Sequence, residues 1–147
     1  MPQLEDQMYR RCENWGWSRH SPYGLKTLVE SYPGCKDDFT DRGSLSDIRK
    51  AINNGKPCIV HGYSTGFGHI FVIRGYEDNE FICNDPWGEW FPWYYAGKGD
   101  SVKYSDRMIV ACCDSYSQGE AMERYSTMDV NDLDKASNIW LHRISRT

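Results

Sequence analysis

Between Gly68 and Asp85 the chain reads Gly-His-Ile-Phe-Val-Ile-Arg-Gly-Tyr-Glu-Asp-Asn-Glu-Phe-Ile-Cys-Asn-Asp, two β-forming runs joined by a polar turn. No other stretch constrains the fold as tightly, because short apolar runs so closely spaced pair as a hairpin. With Glu77, Asp78 and Asn79 as the loop, Tyr76 pairs with Glu80 and Phe71 lies opposite Asp85. His69 and Asp85 are then diagonal neighbours on one face, within reach of long side chains. A carboxylate that accepts one imidazole N–H fixes the tautomer. It also supports the imidazolium that forms when the other ring nitrogen takes a proton from a nucleophile. His69 and Asp85 are therefore candidates for two members of a hydrolytic triad. The plainer alternative is a strand-end His, with Asp85-Pro86 opening the next turn; hairpin geometry alone leaves both open.

Helical periodicity precedes the hairpin. Residues 3–14 place Leu4, Met8 and Cys12 at helical intervals and predict a helix ending near Gly16. Ser21-Pro22 opens a second helix with Leu25, Leu28, Val29 and Tyr32 as its stripe and Pro33-Gly34 as its stop. Ser44 and Asp47 have capping-box spacing at the head of a third, which turns Leu45, Ile48 and Ala51 inward and exits at Asn53-Asn54-Gly55. At Pro57 the period changes, and Cys58-Ile59-Val60 reads as a buried strand. Further strands are predicted at Met108–Cys112 and at Ile139–Ile144. Between them, 115–137 is polar, with a short helix over Gln118–Tyr125, a loop or second helix over Asp129–Lys135, and the look of an insertion. The fold class expected is α+β, with N-terminal helices packed on an antiparallel sheet.

At 147 residues the chain has the size of a single domain spanning 1–147. A net charge of −4 with scattered Lys and Arg argues against nucleic acid as a partner. No apolar run reaches the length of a membrane span, and no signal peptide is seen, so a soluble protein is expected, cytoplasmic by default, its compartment and oligomeric state undetermined. The six cysteines match no small disulfide scaffold and include no Cys-x-x-Cys pair. A metal at His61, His69 and Asp85 has the wrong spacing for a zinc motif, and neither metal nor other cofactor is expected. Trp87, Trp90, Phe91, Trp93, Tyr94 and Tyr95 crowd together, either as core filling or as a platform for a sugar or peptide.

Gly55-Lys56-Pro57-Cys58-Ile59-Val60, then Gly68-His69-Ile70-Phe71-Val72-Ile73-Arg74-Gly75-Tyr76, then Asn84-Asp85-Pro86-Trp87-Gly88 follow the order found in the C39-like cysteine peptidases. The chain resembles that papain-like family over roughly residues 3 to 95, most specifically from Ser44 to Trp90. The resemblance implies a papain-like fold and a hydrolase acting on peptide bonds, with His69 as catalytic base and Asp85 as the acid that orients it. It also implies a reactive Cys in a Cys-Gly-like element opening the first helix, a few residues after an oxyanion-hole Gln. Neither is visible in Met1-Pro2-Gln3-Leu4-Glu5-Asp6-Gln7, which resembles the segment after that helix. The chain is then either a fragment whose start lies upstream or a short form that has lost peptidase chemistry.

Around the pair, His61, Tyr63, Phe67 and Trp87 are candidate substrate-binding residues, with a packed strand-end His as the plain reading of His61. Cys12 and Cys35 lie outside the clear strands but lack the helix N-terminus or adjacent imidazolium that activates a thiol. Asp37-Asp38 and Glu5-Asp6 read as solvated acidic pairs. Two functions remain: a cysteine peptidase cutting a peptide or a peptidoglycan stem, or an inactive relative that binds such a peptide. A structural or interaction protein is a third class without specific support.

Overall fold

The computed structural model describes residues 4–16, 21–63, 68–85, 89–90, 94–95 and 101–147. It is an α+β protein whose main sheet has six antiparallel strands with helices on both faces. Helix α1 (Leu4–Trp15) is followed by α2 (Pro22–Glu30), which starts as the sequence predicts: the Ser21 hydroxyl accepts from the Tyr23 N–H, and Pro22 occupies the first turn. Cys12, Leu25 and Leu28 bury together against Ile59 on one face of the sheet. Helix α3 (Leu45–Asn53) carries the full capping box of Ser44 and Asp47 and buries Leu45, Ile48 and Ala51 against the other face.

The strands are β1 (Cys35–Gly43), β2 (Cys58–Gly62), β3 (His69–Glu77), β4 (Glu80–Asn84), β7 (Val102–Ser105) and β8 (Ile139–Arg146), in the spatial order β1-β8-β2-β3-β4-β7. A separate two-residue pairing joins β5 (Glu89–Trp90) to β6 (Tyr94–Tyr95). Alternation along β2 sends Cys58 and Val60 to the α3 side with Phe71 and Ile73 of β3, while Ile59 faces α1 and α2.

Three expectations need correction. Met108–Cys112 is not a strand: it lies in α4 (Asp106–Cys113), capped by Ser105, whose hydroxyl accepts from the Met108 N–H. Its run is apolar because Met108 through Cys113 are all buried, and a helix buried all round carries no periodicity to tell it from a buried strand. β1 was not anticipated, since Cys-Lys-Asp-Asp-Phe-Thr-Asp-Arg-Gly has the polarity of an edge. The hairpin turn is also tighter: Glu77 pairs with Glu80 and Tyr76 with Phe81, with Asp78 at φ 52°. A bulge at Arg74 then restores the expected register, so Val72 faces Asn84.

After α4 come α5 (Gln118–Thr127) and a 3-10 turn at Val130–Lys135, and the chain returns as β8 between β1 and β2. Gly62 closes β2 beneath the end of α4, where the Tyr63 N–H donates to the Cys112 carbonyl at 2.8 Å. A methyl on Gly62 would lie 2.9 Å from that carbonyl oxygen and 3.2 Å from Cys113 Sγ. Because the nearest obstacle is backbone, Gly62→Ala is expected to cost about 1–3 kcal/mol, read as a lowered midpoint in urea unfolding. An unchanged midpoint would show that α4 can shift to make room.

Candidate active site

His69 is the first residue of β3, paired with Gly62, and Asp85 directly follows β4. Past the bulge the two strand ends bring them together: His69 Nε2 lies 2.5 Å from Asp85 Oδ1, with side chains 6% and 0% exposed. An ionised carboxylate only accepts, so Nε2–H donates, and Nδ1 becomes the nitrogen that can exchange a proton with a reacting group. The other oxygen, Oδ2, accepts from the Tyr104 hydroxyl at 2.7 Å. Tyr104 stands on β7, 2% exposed, edge-on to Phe71, which in turn stacks with His69. Tyr104 was missed from sequence because β7 was missed; the alternation of buried Val102 and Tyr104 with Lys103 was its signal. The Asp85 charge reaches nearby thiols: those of Cys83 and Cys112 are pushed well up, by burial first and by Asp85 second.

The predicted surroundings divide. Tyr63 follows β2 and is half-buried. Phe67 and Trp87 lie outside the described residues, as do Phe91 and Trp93, and Trp90, Tyr94 and Tyr95 are seen only as β5 and β6 backbone. His61 is held by His142 of β8 rather than by the His69 pair: their Nε2 atoms are 2.7 Å apart. His142 Nδ1 in turn donates to Asp37 Oδ2 at 2.5 Å. Asp37 is therefore not on a solvated face; it is fully buried, and only Asp38 behaves as expected, exposed and paired with Arg143. Strand alternation had marked Asp37 and Phe39 as sharing one face, but with β1 unrecognised the signal had no frame.

None of the six cysteines is paired, and Cys35 alone is not buried. Burial pushes the Cys58 thiol up to about 12 and the Cys113 thiol well above its usual range. Iodoacetamide is accordingly expected to label Cys35 first. The rate should not change in His69→Ala, because β8 and β2 separate Cys35 on β1 from His69 on β3. Fast labelling at another cysteine that His69→Ala abolishes would reveal a nucleophile in the chain. Among the described residues no group of three His, Cys, Asp or Glu side chains is arranged to hold a metal ion, and no helix is long and apolar enough to cross a membrane.

The site is thus a strand-borne His hydrogen-bonded to a buried carboxylate on an α+β scaffold. Residues 3–107 match the model of the Peptidase_C39 like family, and the chain belongs to that family. No curated protein and no solved structure matches the chain.

Proposed function

We propose that this chain, taken as one papain-like domain over residues 1–147, carries the general base and orienting acid of a cysteine peptidase acting on a peptide or a peptidoglycan stem. The observation that carries the reading is the 2.5 Å bond from His69 Nε2 to the buried Asp85 carboxylate. In this scheme His69 Nδ1 takes the proton of a thiol, and the thiolate attacks the peptide carbonyl carbon. The leaving amine recovers the proton, and water, deprotonated by the same nitrogen, then attacks the thioester carbon, so that the C–S bond breaks, the acid is freed and the leaving sulfur regains the proton. The buried thiols of Cys58, Cys83, Cys112 and Cys113, with raised proton affinity, do not suit the nucleophile, and the scheme takes its thiol from none of them.

Chemical complementation tests the base directly. Cysteamine added with an activated peptide ester supplies a thiol, and thiolysis is expected to run faster with this protein than in buffer and to fall to the buffer rate with His69→Ala. Equal rates for both proteins would remove His69 from the base role. The buried thiols also favour a second reading, an inactive C39-like domain that retains a peptide, with the aromatic residues from Trp87 to Tyr95 as its platform. That reading requires labelled peptide to bind, by fluorescence anisotropy, while thiolysis stays at the buffer rate.

A further inference from the structure

Asp37, His142 and His61 lie on β1, β8 and β2, three neighbouring strands, and form one hydrogen-bonded line across the sheet. Asp37 and His142 are fully buried, and His61, half-buried, is the outer end, edge-on to the exposed Trp140. The line has countable hydrogens. His142 Nδ1 must carry one to donate to the carboxylate, and the 2.7 Å between the two Nε2 atoms accommodates a single hydrogen. With both imidazoles fully protonated, two N–H groups would meet head to head. β8 and β2 share three residue pairs, Cys58 to Val60 against Arg143 to Leu141, extended by the Ile144 N–H donating to the Pro57 carbonyl at 2.9 Å, and this side-chain line adds a polar tie across that seam.

We propose that Asp37, His142 and His61 form an acid-sensitive latch on β8: with one hydrogen between the imidazoles it clamps β8 to β2, and a further proton on His61 opens the seam next to Gly62, the partner of His69. The proposal does not depend on the peptidase reading. The charged groups around the line are engaged with one another or with backbone. From α2, Lys26 donates to the Asp37 carbonyl and pairs with Glu30, which accepts from the Asp37 N–H. From α1, Arg11 lies over the Tyr32 ring and bonds Ser31. Arg143 and Asp38 pair with each other at positions adjacent to His142 and Asp37. Ile70 and Trp140, the cross-strand neighbours of His61, do not titrate, and His20 lies outside the described residues.

Burial, and secondarily the charge of His142, lowers the proton affinity of His61 from 6.5 to about 4. A folded value below the unfolded one means that the latch is whole above pH 6.5 and weakens as pH falls toward about 4, because in that window the opened form binds the extra proton. Hydrogen exchange read by mass spectrometry tests this. After correction for intrinsic rates, β8 amides are expected to exchange up to about tenfold faster per pH unit below the window's upper edge, while amides of the β3–β4 hairpin stay flat. In His61→Gln, which accepts a hydrogen bond but does not titrate, the β8 response should vanish. A flat β8 in the wild type, or the same acceleration in His61→Gln, overturns the latch. Should His61→Gln fail to fold, the imidazole titration of the wild-type protein by NMR decides: a His61 midpoint near 4 supports it, and an ordinary midpoint near 6.5 overturns it.

Discussion

His142→Ala is expected to lower the unfolding free energy by about 3–5 kcal/mol, enough to unfold much of a marginally stable domain at neutral pH. His142 is fully buried, and its Nδ1–H is the hydrogen bond of a carboxylate that is also fully buried. Among the described residues Asp37 Oδ1 already has no hydrogen-bond partner. Truncation therefore leaves the whole Asp37 carboxylate unsatisfied, and it removes the ring that packs against Phe39 at 4.6 Å between centroids. The cost belongs mainly to the stranded charge, so removing that charge as well should recover most of it. The double variant Asp37→Leu with His142→Leu is expected to be clearly more stable than His142→Ala, since apolar replacement of both partners is often close to neutral. Urea unfolding of the three proteins measures this, and a loss below about 1 kcal/mol in His142→Ala would mean that Asp37 is uncharged or reaches solvent.

Asp85→Asn is expected to reduce His69-dependent thiolysis on the order of 10³-fold while leaving the fold intact. The reason lies in the number of acceptors. The carboxylate accepts from His69 at Oδ1 and from Tyr104 at Oδ2, and an amide of the same shape has one acceptor oxygen and one donor nitrogen. If the amide nitrogen turns toward His69, the imidazole must flip its tautomer to accept from it, which puts the hydrogen on Nδ1, where a base needs a lone pair. Tyr104→Phe removes one hydrogen bond to a charged group and leaves the His69 contact, so the loss should be roughly tenfold to a hundredfold. A larger effect for Tyr104→Phe than for Asp85→Asn would reverse the roles given to the two residues.

The hairpin shows how sequence legibility can survive a wrong step. Its turn is one residue shorter than the polar triplet suggests, yet the bulge at Arg74 returns the register before the strand ends, so the inference that joined His69 to Asp85 reached the contact found. Capping signals at Ser21 and Ser44 were readable because they act over three residues. The losses have a different cause. β1 carries Asp37 inward only because His142 waits on a strand more than a hundred residues later, and no local pattern records such a partner. Helix α4 was lost for want of polar positions, and with β7 went Tyr104, so the contact of Asp85 with His69 was legible and its hydrogen bond from Tyr104 was not.

The place of β8 bears on how the chain acquires its shape. Among the described residues β1 pairs with no strand but β8, and the bond between Asp37 and His142 spans 105 positions of sequence. During synthesis β1 is made early and its neighbour among the last elements of this sequence, so the strand that ties β1 to the rest arrives after the His69 hairpin has had time to form. Non-local closure of this kind is slow and leaves an unpaired edge exposed meanwhile. The polar, charge-rich sequence of β1, which concealed it as a strand, is then what keeps that waiting edge from pairing with other chains.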